Sequence, residues 1–232
     1  MSTQPTVVLV HGAFADSSSW NGVAADLAGR GFHVIAAANP LRGLGSDSAA
    51  VKALVQSIDG PVVLAGHSYG GAVITNAAAG EPNVKALVYV AGFLPDEGES
   101  ALELTNKFPG ATLGETLQTV KLADGNTDFY VRQELFRNQF AADVPEAQAA
   151  LMAVTQRPVT EAALTETSGV PAWRTVPAWS LIPTGDKNIP LAAQEFMAQR
   201  ADAEVVKVAD ASHAVLVSRP DKVADLIAAA AR

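Results

Sequence analysis

Cysteine is absent from the 232-residue chain. This excludes disulfide bonds, thiolate nucleophiles and cysteine metal ligands. Long apolar runs are missing as well. The N-terminal run Val7–Val10 is too short for the core of a signal peptide, and no segment reaches the ~18 uninterrupted apolar residues of a membrane span. We therefore expect a cytoplasmic protein without a membrane partner.

Positive charge is also scarce. Lysine and arginine total 16 against 24 aspartates and glutamates, which gives a formal net charge of −8. Because binding to phosphates needs a basic surface, no nucleic-acid partner is expected. Hydrophobic residues make up 49% of the chain, enough for a large core, and we expect a single domain over residues 1–232. The composition is compatible with a monomer or a homodimer.

Short β-branched runs alternate with longer amphipathic stretches along most of the chain. Several runs are apolar at successive positions, which is typical of parallel strands covered on both faces. The alternation predicts an α/β fold with a doubly wound, mostly parallel sheet of about six strands. The predicted strands are Thr6–Val10, His33–Ala37, Pro61–Ala65, Ala86–Val90, Ala178–Ile182 and Glu204–Val208.

Helix-start signals precede two of the amphipathic stretches. Serines at 17–19 are predicted to cap the first helix, and Gly31 to follow its end. Ser46 or Asp47 is predicted to cap the second, with Gly60 beyond its end.

The alternation stops between about residues 95 and 175. Here Asp124-Gly125 separates two β-rich runs, a pattern that predicts a hairpin. Two helical patterns follow it. No linker rich in glycine or serine borders the segment, so we interpret it as a small helical cap, with a short hairpin, inserted into the single domain.

The stretch Gly66–Gly70, GHSYG, follows the third predicted strand and fits the pattern G-x-S-x-G. A serine on a sharp strand-to-helix turn sits in a strained backbone, and glycines on both sides avoid collisions. This predicts Ser68 as a nucleophile. The backbone N–H groups of Tyr69 and Ala13 are the predicted oxyanion hole, and Gly12 permits close approach of the chain.

A serine nucleophile needs a base. His213 is the candidate, because it lies in a loop after the last predicted strand. His11 and His67 each flank a glycine turn and are predicted to hydrogen-bond nearby backbone. His33 begins a strand and is interpreted as a strand-edge residue.

The base needs a carboxylate that orients it. Asp186 follows a predicted strand directly, and ligand sites in open parallel sheets lie beyond the carboxyl ends of strands. The chain order Ser68, Asp186, His213 also matches the order expected for a nucleophile on this kind of turn. Asp96 follows another strand, could reach the same histidine, and is the main alternative.

Four motifs together, VVLVHGAFADSSSW, GHSYGGAVIT, GDKNIP and ASHAVL, resemble the α/β-hydrolase superfamily. Within it the chain is similar to the compact branch of plant methylesterases, including salicylate-binding members, and hydroxynitrile lyases. The resemblance implies a Ser-His-Asp mechanism, carried here by Ser68, His213 and Asp186, with no cofactor and no metal. It does not identify the substrate.

Three functions are compatible with these residues. The first is hydrolysis of a small, largely apolar carboxylic ester, with lactones and thioesters as related substrates. The second is cyanohydrin cleavage, for which the lyases of this branch use a threonine and a lysine where this chain has Gly12 and Ala214. The third is non-catalytic binding of a small molecule. The two missing side chains favour the esterase, and a Gly12→Thr, Ala214→Lys double variant is expected to gain lyase activity.

The substrate pocket is predicted between sheet and cap. Its predicted lining consists of Gly12 and seven aromatic residues: Phe14, Tyr69, Phe93, Phe129, Phe136, Phe140 and Trp173. The cap has no cationic cluster, so a strongly anionic substrate is not favoured.

Overall fold

The fold is built on a parallel sheet, described here from a computed structural model that covers residues 4–232. The strands of this region are β1 Thr6–Val10, β2 Val34–Ala37, β3 Val62–His67, β4 Val84–Val90, β5 Leu117–Lys121, β6 Thr127–Val131, β7 Val159–Thr160, β8 Ala178–Pro183 and β9 Glu204–Val208. Six of them form one sheet in the order β2-β1-β3-β4-β8-β9, and every neighbouring pair is parallel. The predicted fold class and strand number are confirmed.

Helices cover both faces of this sheet. Their bounds are α1 Asn21–Gly29, α2 Leu44–Gln56, α3 Tyr69–Ala77, α4 Ala101–Asn106, α5 Gln133–Phe140, α6 Glu146–Thr155, α7 Glu161–Thr165, α8 Leu191–Arg200, α9 Val215–Ser218 and α10 Pro220–Ala230. None of these helices, within residues 4–232, combines the length and the apolar character that crossing a bilayer requires.

Successive residues of a central strand face opposite cores. In β1, Val7 and Leu9 join the cluster formed with α1 and α10, whereas Val8 and Val10 join the cluster formed with α2 and α3. All four side chains are fully buried. Burial on both faces explains why the strand is an uninterrupted apolar run.

The direction of winding reverses between β1 and β3. β1 pairs with β2 on one side and with β3 on the other. The loops that follow β1 and β3 therefore leave the same edge of the sheet next to each other. In open α/β sheets, this switch point is where ligands bind.

The helix-start predictions were wrong in detail. The first helical segment opens with a 3-10 turn over Ser17–Trp20, and Asp16 caps it by accepting from the Ser18 N–H. The second helix begins at Leu44, so Asp47 lies inside its first turn. There the Asp47 carboxylate accepts from the Arg42 N–H at 3.1 Å. The glycines after both helices do adopt positive φ, 89° at Gly31 and 101° at Gly60.

The segment between β4 and β8 carries most of the remaining elements. β5 and β6 form the predicted antiparallel hairpin around Asp124-Gly125, with Gly125 at φ 89°. The two-residue β7 adds a third strand to it. Helices α5 and α6 correspond to the two helical patterns that follow the hairpin. β7, α4 and α7 were not predicted, because each is only two to six residues long.

Candidate active site

Ser68 lies at the sharp turn where β3 passes into α3. Its backbone has φ 54° and ψ −123°, in the left-handed region that residues with side chains rarely adopt. The turn is tied to the sheet, since the Ser68 N–H donates to Val90 O over 3.2 Å and Ser68 O accepts from the Phe93 N–H at 3.1 Å. Such strain costs on the order of 1–3 kcal/mol and persists only where the surroundings enforce it.

The glycines on both sides of Ser68 allow the chain to pack against itself. A Cβ at Gly66 would lie 2.5 Å from Gly70 O, and a Cβ at Gly70 would approach Val10 O more closely still. Real Cβ atoms do not come so near to backbone oxygens. The prediction that crowding requires glycine at both places is confirmed.

His213 and Asp186 form a buried pair beyond the ends of β9 and β8. The His213 Nδ1 donates to Asp186 Oδ2 over 2.8 Å, and the two side chains are 1% and 0% exposed. This arrangement leaves His213 Nε2 to accept a proton. Ser68 and His213 line the same cavity. The fold thus brings the predicted nucleophile, base and acid to one edge of the sheet.

Asp96, the alternative acid, is engaged elsewhere. Its Oδ1 accepts from an Arg174 guanidinium nitrogen at 2.6 Å, and its side chain is 30% exposed. Asp96 therefore belongs to a surface ion pair, and Asp186 is the carboxylate that contacts His213.

His67 and Phe140 hold the His213 ring from two sides. The His67 Nε2 donates to His213 O over 2.9 Å, and the ring centroids of the two histidines are 4.8 Å apart. The Phe140 ring packs edge-on against His213 at 4.9 Å. Burial, together with the nearby His213, lowers the pKa of His67 well below its ordinary value, so its ring stays neutral.

Of the other two histidines, His11 hydrogen-bonds to the backbone and His33 lies at the surface. His11 Nδ1 donates to Gly12 O over 3.0 Å, while its Nε2 accepts from the Asn39 N–H at 3.1 Å. His33 is exposed and immediately precedes β2. The predicted backbone contacts of His11 and His67 are confirmed.

Two backbone N–H groups are available beside Ser68. Ala13 and Tyr69 both line the cavity, and within residues 4–232 neither backbone N–H donates to a protein acceptor. The Tyr69 N–H also opens helix α3, whose N-terminus favours negative charge. The Tyr69 side chain turns away and donates to the buried Asp47 Oδ2 over 2.8 Å. These two N–H groups can hold a developing oxyanion.

The cavity over Ser68 and His213 has a volume of about 260 Å³. Much of its wall is apolar and comes from the segment between β4 and β8. Besides Phe14, Tyr69 and Phe93, which were predicted, the lining includes the apolar residues Ala101, Leu102, Leu113, Leu117, Leu164 and Ile189. The volume suits a small organic molecule.

The other predicted lining residues do not reach the cavity. Phe136 and Phe140 stack on each other at 5.0 Å behind His213 and are at most 1% exposed. Phe129 packs against the core from β6. Trp173 directs its Nε1 to Pro95 O and lines a separate surface cleft. These four aromatics are structural, and the prediction was wrong for them.

Gly12 lies against the serine turn and leaves no room for a side chain. A Cβ there would lie 2.6 Å from His67 O and 2.7 Å from Ser68 Cβ. Ala214 is fully buried. Threonine at 12 would push the loop away from Ser68, and lysine at 214 would bury a charge. The expectation that this double variant gains lyase activity was therefore wrong. Gly12 allows the loop to approach Ser68 closely and does not line the cavity.

The chain also holds the base and acid loops through contacts that sequence reasoning missed. The N–H groups of Asn188 and Ile189 donate to Asp186 Oδ1 at 2.7 and 3.1 Å. The spacing of Asp186 and Asn188 is a turn signal that could have revealed this. The Ala214 N–H donates to Phe140 O over 3.0 Å, which ties the base loop to α5. No local sequence signal announces that contact.

The fold and this site together define a doubly wound α/β protein with a strained serine beside a buried histidine–aspartate pair. Residues 7–226 match the pattern of a known family. The chain belongs to the Alpha/beta hydrolase family.

Two sequence relatives and one solved structure show which members of the family this chain resembles. The carbendazim hydrolyzing esterase of Nocardioides sp. (strain SG-4G) is 32% identical over 113 residues, 43% of this chain and 47% of that esterase, so the match spans about half its length. Methylesterase 9 of Arabidopsis thaliana is 25% identical over 178 residues, 72% of this chain and 70% of that protein. The crystal structure of polyneuridine aldehyde esterase has a TM-score of 0.85 at 19% identity and covers 99% of this chain and 100% of its own. The resemblance to the methylesterase branch is confirmed.

Proposed function

We propose that this chain is a serine carboxylesterase that hydrolyses small, largely apolar esters. The observation that carries the proposal is the meeting of a strained Ser68 with the His213–Asp186 pair at one cavity. The names of the two sequence relatives, an esterase and a methylesterase, support the reaction class.

The reaction would proceed in two halves. Ser68 Oγ attacks the ester carbonyl and passes its proton to His213 Nε2, while Asp186 fixes the tautomer and stabilises the imidazolium. The N–H groups of Ala13 and Tyr69 hold the oxyanion. His213 then gives the proton to the departing alkoxide, which leaves as the alcohol. Water, deprotonated by His213, then attacks the acyl-serine. The bond between the acyl carbon and Ser68 Oγ breaks, the carboxylic acid leaves, and His213 returns its proton to Ser68 Oγ.

The cavity wall supports an uncharged substrate. Within the described residues, the charged side chains that line the cavity are Glu115 and, when protonated, His213. Among residues 4–232, no lysine or arginine lines the cavity to pair with an anionic substrate group. Neutral esters whose acyl or alcohol part fits about 260 Å³ are therefore favoured.

The reaction class is tested by comparing ester hydrolysis with cyanide release. We expect hydrolysis of p-nitrophenyl acetate and butyrate, and negligible cleavage of mandelonitrile. A cyanide leaving group needs a cation, and among the described residues no lysine or arginine lines the cavity. Leaving a buried polar group unpaired costs about 1–3 kcal/mol, and more when the group is charged. Efficient cyanide release would overturn the esterase proposal, and turnover of neither substrate would favour a binding protein.

Phe14 is expected to limit substrate size. It lines both the cavity of Ser68 and a neighbouring cavity of about 260 Å³, whose wall also includes Leu151 and Met152. Phe14→Ala should join the two spaces and raise the octanoate-to-acetate ratio of kcat/KM for p-nitrophenyl esters by about tenfold or more. Phe93→Ala is the control, because Phe93 lines the first cavity only. An unchanged ratio in Phe14→Ala, or an equal rise in both variants, would contradict this role.

A further inference from the structure

Gln194, a buried glutamine of α8, hydrogen-bonds to the candidate acid Asp186. Gln194 is 1% exposed and does not line the cavity. Its Nε2 donates to Asp186 Oδ2 and to Ile189 O, each over 2.9 Å. Its neighbours on the inner face of the helix, Ala193 and Met197, are apolar members of the core. Gln194 is therefore a polar side chain in an apolar row, directed at one carboxylate.

The orientation of the Gln194 amide is fixed by its partners. Both hydrogens of Nε2 meet oxygen acceptors, so the reversed amide would set its own oxygen against two oxygens. In the observed orientation Oε1 is buried and has no partner within residues 4–232. An unpaired buried carbonyl is destabilising. If the side chain at position 194 only filled space in the core, an apolar residue would be more stable there.

The Asp186 carboxylate is held at both oxygens. Oδ1 accepts from the N–H groups of Asn188 and Ile189 within its own loop, and Oδ2 accepts from His213 and Gln194. Without Gln194, Asp186 Oδ2 would keep the hydrogen bond from His213 and lose the one from the Gln194 amide. The helix thus supplies an anchor for that oxygen that the loop does not provide.

We propose that Gln194 is a positioning residue that aims Asp186 Oδ2 at His213 Nδ1. The inference rests on the proposed function, since it assigns Gln194 a part in the same proton transfer. Because Gln194 does not touch the cavity, its removal should lower kcat and leave KM unchanged. Misplacing a catalytic group by about 1 Å costs on the order of a hundredfold in rate.

The primary test replaces Gln194 by a side chain of similar size without donors. Gln194→Met should lower kcat by about tenfold to a hundredfold, with KM within about twofold of wild type. Gln199→Met is the matched control, because it makes the same change on the exposed side of the same helix. A Gln194→Met enzyme that is folded and has wild-type kcat would overturn the proposal, as would an equal loss in Gln199→Met.

A second variant keeps the proposal testable if Gln194→Met folds poorly. In Gln194→Glu, the introduced carboxyl repels Asp186 when ionised and can donate to Oδ2 when protonated. The ratio of its kcat to that of wild type should therefore rise as the pH falls through the pKa of the introduced carboxyl, which burial beside Asp186 raises. A ratio that is flat over the measurable pH range would contradict a positioning role.

The failure of this proposal can be told apart from failure of the esterase proposal. Phosphonylation of Ser68 by a fluorophosphonate uses the same base and acid but requires no particular ester. If wild type reacts with the probe and hydrolyses no ester, the esterase proposal fails, and the relative labelling rates of Gln194→Met and Gln199→Met still decide the role of Gln194. If wild type does not react, both proposals are overturned.

Discussion

Ser68→Ala is expected to abolish ester hydrolysis, with a loss in kcat on the order of a millionfold, as in other serine triads. The hydroxyl is the only group removed, and alanine retains the Cβ, so backbone strain at φ 54° is unchanged. Thermal stability should therefore stay close to that of wild type. The measurement is the rate of p-nitrophenyl butyrate hydrolysis by purified variant and wild type.

Ser57→Ala is the control for this experiment. Ser57 is exposed at the end of α2, and its hydroxyl bonds only to Leu54 O within the described chain. Its replacement should leave kcat unchanged. If Ser68→Ala keeps more than a few per cent of the activity, Ser68 is not the nucleophile.

Asp186→Asn is expected to lower kcat by about ten-thousandfold, because an amide no longer enforces the tautomer in which His213 Nε2 accepts the serine proton. The hydrogen-bonding geometry of the loop is largely kept, so the variant should fold. Steady-state kinetics, together with circular dichroism as a folding check, measure the effect.

The matched substitution at the alternative acid should be nearly silent. Asp96→Asn weakens a partly exposed ion pair with Arg174, an interaction worth about 0–1 kcal/mol, and leaves the cavity untouched. Its kcat should stay within about twofold of wild type, as expected for a surface change. If Asp96→Asn is the more damaging of the two, the assignment of the acid is wrong.

The sheet could be predicted closely because its strands are buried on both faces. A residue such as Val7 or Val8 must be apolar whichever core it faces, so β1 appears as an uninterrupted apolar run in the sequence. The first and last strands, Thr6–Val10 and Glu204–Val208, begin and end where predicted. The sharp turn at Ser68 could be predicted for a related reason, since crowding there requires glycine on both sides.

The lining of the cavity was harder to predict, because the sequence does not distinguish an aromatic side chain that packs in a core from one that lines a cavity. Phe14 and Phe93 line the cavity, whereas Phe136 and Phe140 stack in the core beside His213. Which of these occurs depends on how α5 packs against the sheet, and periodicity alone does not specify that packing. The aliphatic residues of the wall, such as Leu102, have no sequence signal that separates them from core residues.

Two other features were not predicted correctly, for a different reason: the residues that cap the helix starts, and the side chain that supports Asp186. Several polar residues near a helix start can each act as its cap, and the structure uses Asp16 rather than the serines that follow it. Gln194 reaches Asp186 from the next helix, eight residues along the chain. That contact depends on how α8 packs against the loop, which composition and local pattern do not report.

The most direct measurement of the central claim is peptide mapping by mass spectrometry after reaction with a fluorophosphonate. Ester hydrolysis should be lost in proportion to a single phosphonyl adduct, and the adduct should map to Ser68. Enzyme that is fully inhibited while Ser68 is unmodified, or that still hydrolyses esters after Ser68 is fully modified, would contradict the account.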